Sequence, residues 1–361
     1  RDKVITFNFN GKSYQGYEGD TLASALLANG VHLVGRSFKY HRPRGFIGAG
    51  VDEPNAKLQV TINGHSEPNI NATEIELVDG LSATSQNCWP SVEFDIGAIN
   101  NFLKRFFPAG FYYKTFMWPK SFWYKVYEPF IRKAAGLGVA SLEKDKERYE
   151  HKFEYCDLLV TGSGPSGLAS AYAAAKNGAK VILAEDKPRY GGTLLTDDVS
   201  IDNMSGKDWS EKIISELKTM PNVILKNRSQ VFGYYDHNMM VMFERVGDHL
   251  SNKSKYTPRQ RLWYIRAKET ILSTGSIERP IVFGNNDTPG VVLSSAAKEY
   301  MKVYGVLVGR KPIIFTNNDS AYETAFEFKK NNVEPIILDT REEHDSEVVQ
   351  EAKNKGIQIK F

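Results

Sequence analysis

Thr161-Gly162-Ser163-Gly164-Pro165-Ser166-Gly167 is the stretch of this sequence that decides its fold. An apolar run of strand length, Cys156–Val160, precedes this glycine turn, and a helical run of small residues, Leu168–Ala175, follows it. A second apolar run, Val181–Ala184, ends at an acidic residue, Glu185. The order strand, glycine turn, helix, strand and acid predicts the βαβ unit that binds a dinucleotide.

The three glycines of the turn have separate predicted roles. Gly162 permits the tight turn out of the strand, Gly164 lets the backbone approach a pyrophosphate, and Gly167 lets the helix pack close to the sheet. The helix N-terminus offers free N–H groups and the positive end of its dipole to the phosphates. Glu185 lies 18 residues after Gly167, close to the roughly 20 expected for an acid that binds a ribose diol and repels a 2′-phosphate.

Two later features narrow the class of protein. Gly191-Gly192 follows Glu185 within one short loop, a spacing typical of two-dinucleotide flavoproteins of the glutathione reductase type. The run Glu269–Ser276 is interpreted as a strand ending in Thr-Gly, and it resembles a strand that returns beside the nucleotide in that superfamily. The predicted cofactor-binding residues are Gly162, Ser163, Gly164, Pro165, Ser166, Gly167, Glu185, Asp186, Gly192, Thr193, Thr274 and Gly275. Because NAD and FAD both use such a turn and acid, these residues leave the choice between them open.

The composition is that of an ordinary globular protein. The chain has 361 residues, 41% hydrophobic and 25% charged, a length that predicts two or three domains. A net charge of +3 is too small to indicate binding to nucleic acid or to an anionic membrane. Two cysteines, Cys88 and Cys156, exclude a disulfide framework and favour a reducing, cytoplasmic compartment. No membrane span or signal peptide is visible, and both ends of the sequence look cut.

The first 95 residues predict a small β-grasp domain. Strands are expected at Lys3–Phe9, Lys57–Ile62 and Glu74–Leu77, a hairpin turn at Asn10-Gly11 and a helix at Leu22–Ala28. The arrangement resembles two-iron ferredoxins, whose cysteines follow a C-x₄-C-x₂-C spacing soon after the helix. The matching positions here hold Ile47, Asp52 and Asn55. Since no thiolate is available there, we predict the fold without an iron–sulfur cluster and without any other metal.

Longer matches identify a specific family. They are Gly19–Val31, Gly35–Gly45, Ser85–Ser91, Pro108–Lys114 and Phe116–Pro119. In these runs the chain resembles the α subunit of heterotetrameric sarcosine oxidase. The resemblance extends from the first strand to the last residue, and the chain corresponds to the N-terminal part of that longer subunit.

The resemblance implies an oxidoreductase that acts on the CH–NH bond of a secondary amine. Sarcosine, water and oxygen would give glycine, formaldehyde and hydrogen peroxide. The resemblance implies FAD in the β subunit, FMN held by β at its interface with α, and NAD in α, so NAD is favoured over FAD on the glycine turn. Tetrahydrofolate would belong to a C-terminal domain outside this sequence. The implied partners are the β, γ and δ subunits and a small-molecule amine, with no nucleic acid and no membrane. We expect no catalytic residue in this chain, which alone should not oxidise sarcosine.

The predicted fold class is α/β. A ferredoxin-like β-grasp domain at 1–95 is followed by an aromatic-rich helical connection at 96–152. A two-lobed FAD/NAD(P)-binding Rossmann-type domain is expected at 153–361, its second lobe starting near residue 306 and incomplete. The second lobe has the turn Thr316–Ala321, which lacks glycine, so we interpret it as structural.

Two segments allow more than one interpretation. The connection either packs the small domain on the large one or lies in a subunit interface, and the resemblance favours the interface. Its aromatic residues are Phe102, Phe106, Phe107, Phe111, Tyr112, Tyr113, Phe116, Trp118, Phe122, Trp123, Tyr124, Tyr127 and Phe130. A basic loop either is solvated or grips an anionic cofactor or partner; its residues are Arg36, Lys39, His41, Arg42 and Arg44.

Two other functions would use a similar nucleotide-binding unit. A free-standing pyridine nucleotide–disulfide reductase would need a redox CxxC motif, which the sequence lacks, and a complete second lobe. A subunit of a related amine or opine dehydrogenase would often keep the iron–sulfur cysteines, so the residues at positions 47, 52 and 55 count against it.

Overall fold

A computed structural model describes residues 3–106, 110, 116–134, 138–251 and 253–361. Its contacts divide the chain into two units. The first unit joins Arg1–Lys144 with Arg279–Phe361, and the second unit is Asp145–Glu278. The predicted domain boundaries at 95 and 152 stay predictions.

The first unit begins with a β-grasp of five strands and one helix. The elements are β1 (Val4–Phe9), β2 (Lys12–Tyr17), α1 (Leu22–Ala28), the short pair β3 (Gly35–Arg36) and β4 (Pro43–Arg44), β5 (Lys57–Ile62), β6 (His65–Asn71) and β7 (Ser82–Ser85). The sheet has the order β2-β1-β7-β5-β6. Alternate residues of β1, Ile5, Phe7 and Phe9, are buried in one core with Leu22 and Leu26 of α1. This periodicity confirms the ferredoxin-like part of the predicted fold.

Local signals placed most elements of the β-grasp correctly. Asn10 and Gly11 have φ of 50° and 78°, as a type I′ hairpin requires. Thr21 caps α1 in a reciprocal capping box with Ser24. The strand predicted at Glu74–Leu77 is wrong, because these residues form a turn in which only Glu76 makes an isolated bridge, with Thr21.

The connection that follows is built from short helical turns. They are 3₁₀ turns at Ile96–Asn101, Lys104–Phe106 and Lys120–Phe122, a π-helical turn at Trp123–Tyr127, and α2 (Glu128–Ala134). Several of its aromatic side chains face solvent, among them Phe102 at 86% exposed and Trp118 at 82%. Four aromatic residues named above, Phe107, Phe111, Tyr112 and Tyr113, lie outside the described residues.

The second unit is a Rossmann-type domain. Its elements are β8 (Tyr149–Thr161), α3 (Pro165–Lys176), β9 (Val181–Ala184), β10 (Ser200–Ile201), β11 (Met204–Ser205), α4 (Gly206–Thr219), β12 (Val223–Lys226), β13 (Ser229–Tyr235), β14 (Met239–Arg245) and β15 (Gln260–Leu272). A six-stranded sheet has the order β12-β9-β8-β15-β14-β13, in which the first four strands are parallel. Leu168 and Ala171 of α3 pack with Ile213 and Leu217 of α4 in one core. Parallel strands bring their carboxyl ends to one edge, where Thr161, Ala184 and Leu272 pair in register.

Residues 279–361 complete the first unit. Their elements are α5 (Ser294–Lys302), β16 (Ile313–Thr316), α6 (Tyr322–Lys330), β17 (Ile336–Asp339), α7 (Glu347–Asn354) and β18 (Gln358–Lys360), and the three strands form a parallel sheet β16-β17-β18. Tyr300 of α5 is buried in the β-grasp core and donates its hydroxyl to the Gly48 carbonyl at 2.9 Å. None of the helices within the described ranges has the length and apolar character that crossing a bilayer requires.

Candidate functional site

The glycine turn lies at the carboxyl edge of the parallel strands of the second unit. A Cβ on Gly162 would lie 2.2 Å from the Ser273 carbonyl oxygen, and the φ of Gly162 is +96°. A Cβ on Gly167 would lie 1.9 Å from the Gly162 carbonyl oxygen. Both distances are far below van der Waals separation. Glycine is therefore required at both positions, because the turn after β8, the start of α3 and the residue that follows β15 pack closely together.

Gly164 has a different environment. It is the N-cap of α3 in an extended conformation, and a Cβ at this position would meet nothing within 4 Å. Because glycine has no side chain, this residue cannot cap the helix end with a side-chain hydrogen bond. The first N–H groups of this twelve-residue helix therefore have no side-chain cap, and a helix end of this kind can receive a phosphate.

Glu185 follows β9 and is held from two sides. Ser163, fully buried, donates its backbone N–H at 2.9 Å and its hydroxyl at 2.5 Å to the Oε2 atom of Glu185. Lys187 donates its N–H to Oε1 at 3.1 Å. Glu185 is 6% exposed, so its carboxylate is fixed beside the glycine turn.

The other predicted site residues also converge on this edge. A Cβ on Gly192, which has φ of +53°, would lie 2.9 Å from the Gly164 Cα, so this loop contacts the glycine turn directly. Gly191 donates its N–H to the Ser163 hydroxyl oxygen at 3.1 Å. Thr193, Thr274 and Gly275 are exposed, and the Thr274 nitrogen lies 3.4 Å from the Cβ position of Gly162. The arrangement can cradle a pyrophosphate and an adjoining ribose.

Two residues of this edge were missed by the sequence analysis as site residues. Gly191 has φ of +126° and links the loop to Ser163. Ser273 supplies the carbonyl and the side chain that pack against Gly162 and Gly167. The signal for Ser273 was its position immediately before Thr274-Gly275, at the end of the predicted strand.

The loop of the β-grasp where ferredoxins hold their cluster is organised by Glu53. This carboxylate is 2% exposed and accepts four backbone N–H groups. They come from Ile47 at 2.6 Å, Gly48 at 2.8 Å, Asn55 at 2.6 Å and Ala56 at 3.1 Å. Burial raises the pKa of Glu53, and these four donors act in the opposite direction.

The residues of this loop do not fit an iron–sulfur cluster. Two of the three ligand positions, Ile47 and Asn55, have side chains that do not bind iron, and the third is Asp52. Within the described ranges, no three His, Cys, Asp or Glu side chains lie together in a way that could hold a metal ion.

We therefore expect the purified protein to contain neither iron nor acid-labile sulfide, because a two-iron cluster needs four thiolates or equivalent ligands. Colorimetric iron and sulfide assays on the whole chain, with a plant-type ferredoxin as positive control, measure this directly. Two iron atoms per chain would contradict the expectation.

The basic loop is largely engaged inside the first unit. Asp287 accepts hydrogen bonds from Arg42 at both carboxylate oxygens, at 2.8 and 2.7 Å, and it also accepts one from Arg44. These guanidinium groups hold the pKa of Asp287 well below its usual range. Arg36 donates to the carbonyls of Val92 and Glu93. These contacts favour a structural role for the three arginines over the binding of an anionic ligand.

Neither cysteine has the environment of a redox thiol. Burial raises the pKa of Cys156 to about 12, and it also raises the pKa of Cys88. A thiol with a raised pKa is a poor nucleophile near neutral pH. This agrees with the lack of a CxxC motif and counts against the disulfide-reductase alternative.

Two family models match the chain. Residues 2–88 match a model described as "2Fe-2S iron-sulfur cluster binding domain", and residues 157–230 match one described as "FAD dependent oxidoreductase". The second match contains the glycine turn and Glu185. It supports a flavin or another nucleotide as the cofactor of the second unit.

The relatives agree with these models. "Sarcosine oxidase subunit alpha" of Rhizobium meliloti (strain 1021) is 51% identical over 94% of this chain and 35% of its own length. The protein of the same name from Corynebacterium sp. (strain U-96) is 33% identical over 95% of this chain and 31% of its own length. A solved structure, the L-proline dehydrogenase from P. horikoshii, matches with a TM-score of 0.63 and 22% identity. That match covers 96% of this chain and 56% of the solved chain, and it shows the shared fold. The chain is thus a homologue of the sarcosine oxidase α subunits and spans about one third of their length.

Proposed function

We propose that this chain is the dinucleotide-binding part of the α subunit of a sarcosine oxidase. The complex would oxidise sarcosine to glycine, formaldehyde and hydrogen peroxide. Identity of 51% with a protein of that name over 94% of this chain supports the substrate. The observation that carries nucleotide binding is the open space beside Gly164 at the uncapped end of α3.

We propose NAD as the occupant of the site. Gly164 and Ser166 would face the pyrophosphate, and Glu185 with its neighbour Asp186 would face the ribose hydroxyls. Thr193, Thr274 and Gly275 would border the same cleft. Bound NAD would supply a hydride acceptor. FAD is the alternative occupant of this turn, and identification of the extracted nucleotides distinguishes the two.

The remaining partners belong to the same proposal. The β subunit would carry FAD and a covalent FMN at its interface with this chain, and γ and δ would complete a cytoplasmic heterotetramer. Tetrahydrofolate would bind in a domain outside this sequence. The exposed aromatic side chains of the connection support a subunit interface, because large apolar groups exposed together mark partner surfaces.

We expect acid extraction of the assembled complex to release NAD in one-to-one ratio with this chain, together with FAD, while the covalent FMN stays on the precipitated protein. Chromatography of the extract identifies each nucleotide. The complex should produce peroxide from sarcosine, whereas this 361-residue chain alone should produce none, since we assign the amine-oxidising flavin to a partner.

Two results would contradict the proposal. Steady peroxide formation by the isolated chain would show that amine oxidation occurs in this chain and not in a partner subunit. A complex that carries two FAD molecules and no NAD for each copy of this chain would replace NAD with FAD on the glycine turn.

A further inference from the structure

Ser163 lies between two glycines of the turn and was predicted from the sequence as a cofactor-binding residue. In the folded chain it is 0% exposed, and its backbone N–H donates to the Oε2 atom of Glu185 at 2.9 Å. A side chain without exposed surface cannot contact a nucleotide bound at this edge of the sheet. Any part that Ser163 takes in binding is therefore exerted through the residues that it contacts.

The hydroxyl group of Ser163 is held in one orientation by the loop that follows Glu185. Gly191 donates its N–H to the hydroxyl oxygen at 3.1 Å, and the hydroxyl donates to the Oε2 atom of Glu185 at 2.5 Å. The Gly191 N–H occupies an acceptor position of the oxygen, while the hydroxyl proton points to the carboxylate. A Cβ on Gly191 would lie 2.9 Å from Leu195 and 3.2 Å from the Ser210 hydroxyl oxygen, so a closely packed loop holds this donor.

These contacts fix the direction of the Glu185 carboxylate. Its Oε2 atom accepts two hydrogen bonds from Ser163, whereas Oε1 accepts the N–H of Lys187 at 3.1 Å. Since a carboxylate oxygen accepts about two hydrogen bonds, Oε1 has room for a further donor. Burial is the main cause that raises the pKa of Glu185 to about 7, and the hydrogen bond from Ser163 acts in the opposite direction. Ser163 thus favours both the orientation and the ionised form in which Glu185 accepts a hydroxyl group.

We propose that Ser163 is a positioning residue of the dinucleotide site. Its buried hydroxyl group orients the Glu185 carboxylate towards the adenosine ribose, without contact between Ser163 and the nucleotide. The inference rests on the proposed dinucleotide site. It also limits what the Ser163 hydroxyl can affect, because its loss weakens recognition of the ribose hydroxyl groups and leaves the pyrophosphate contacts at the end of α3 in place.

Two nucleotides that differ only in the ribose test this role. ADP is the part that NAD and FAD share, and 2′,3′-dideoxy-ADP lacks both hydroxyl groups that Glu185 would recognise. Calorimetry on the whole chain, freed of copurifying nucleotide, measures both affinities, and the wild-type chain should bind ADP more tightly by about tenfold or more. Ser163→Ala should weaken ADP binding about tenfold and change the affinity for dideoxy-ADP by less than about twofold.

A double-mutant cycle separates positioning from a general structural effect. Because Ser163 is proposed to act through Glu185, its replacement should have little effect once that carboxylate is gone. Ser163→Ala in a Glu185→Ala background should therefore change the ADP affinity by less than about twofold. Ser170→Ala on α3, whose hydroxyl donates to the Ser166 carbonyl at 2.7 Å, is the matched control and should leave both affinities unchanged. Where Ser163→Ala does not fold, Ser163→Cys gives the same comparison, because its thiol fills the space and is a weak donor.

The outcomes separate this inference from the function it rests on. Equal weakening of both nucleotides in a folded Ser163 variant, or additive effects of Ser163→Ala and Glu185→Ala, would show that Ser163 only supports the fold. Either result overturns the positioning role and leaves the dinucleotide site intact. Equal affinity of the wild-type chain for ADP and dideoxy-ADP would contradict ribose recognition by Glu185, and the positioning role with it. Failure of the wild-type chain to bind ADP, NAD⁺ or FAD overturns the site itself.

Discussion

A Gly164→Val variant is expected to lose its dinucleotide while keeping its fold. The Cβ position of Gly164 meets nothing within 4 Å, and its φ of −66° suits any residue. The valine side chain would therefore fit the protein and fill the space at the helix end where the pyrophosphate is proposed to lie. We expect affinity to fall by about 100-fold or more, roughly 2.8 kcal/mol. Nucleotide retained after gel filtration, together with the melting temperature, measures the two effects separately.

Two matched variants give this prediction its control. Gly167→Ala should lower the melting temperature instead, since its Cβ would lie 1.9 Å from the Gly162 carbonyl oxygen. Ala173→Val places the same branched side chain at an exposed position of α3 and should cost less than about 1 kcal/mol of stability. Full nucleotide content in a folded Gly164→Val protein would refute the proposed placement.

The elements that the sequence predicted well have strong local patterns. Helix α1, for example, was predicted at Leu22–Ala28 and has these bounds. The glycine turn could be located because each glycine has a separate steric cause within a short segment, which the contacts of Gly162, Gly164 and Gly167 reproduce. Whether these residues bind a nucleotide stays a prediction.

The features that the sequence did not predict depend on contacts between residues that are far apart in the sequence. β7 pairs with β1 in parallel and with β5 antiparallel, and no periodicity within Ser82–Ser85 identifies these partners. Tyr300 joins residues 279–361 to the β-grasp by a contact with Gly48, across 252 positions of sequence. Glu53 was overlooked because its donors are backbone groups, whose direction is set only by the folded loop.

Glu53→Ala is expected to destabilise the β-grasp strongly. The variant leaves four backbone N–H groups without their acceptor in a site where the side chain is 2% exposed. A buried polar group without a partner costs about 1–3 kcal/mol, so a loss of at least about 3 kcal/mol is expected. Hydrogen exchange measured by mass spectrometry on the peptide that contains Ile47 and Ala56 reports the loss locally. It also avoids treating a chain of two units as a single unfolding transition.

The comparison of Glu53 with its neighbour decides whether the carboxylate organises the loop or only adds charge to it. Asp52→Ala removes the same charge, yet the Asp52 carboxylate accepts one loop N–H, from Gly50 at 3.0 Å, so a cost of about 1 kcal/mol is expected. Glu53→Gln keeps one acceptor oxygen and should fall between the two alanine variants. Because the ferredoxin-like loop lacks thiolates that could hold a cluster, its order must come from within the chain. Equal exchange rates in Glu53→Ala and Asp52→Ala would show that another group holds this loop.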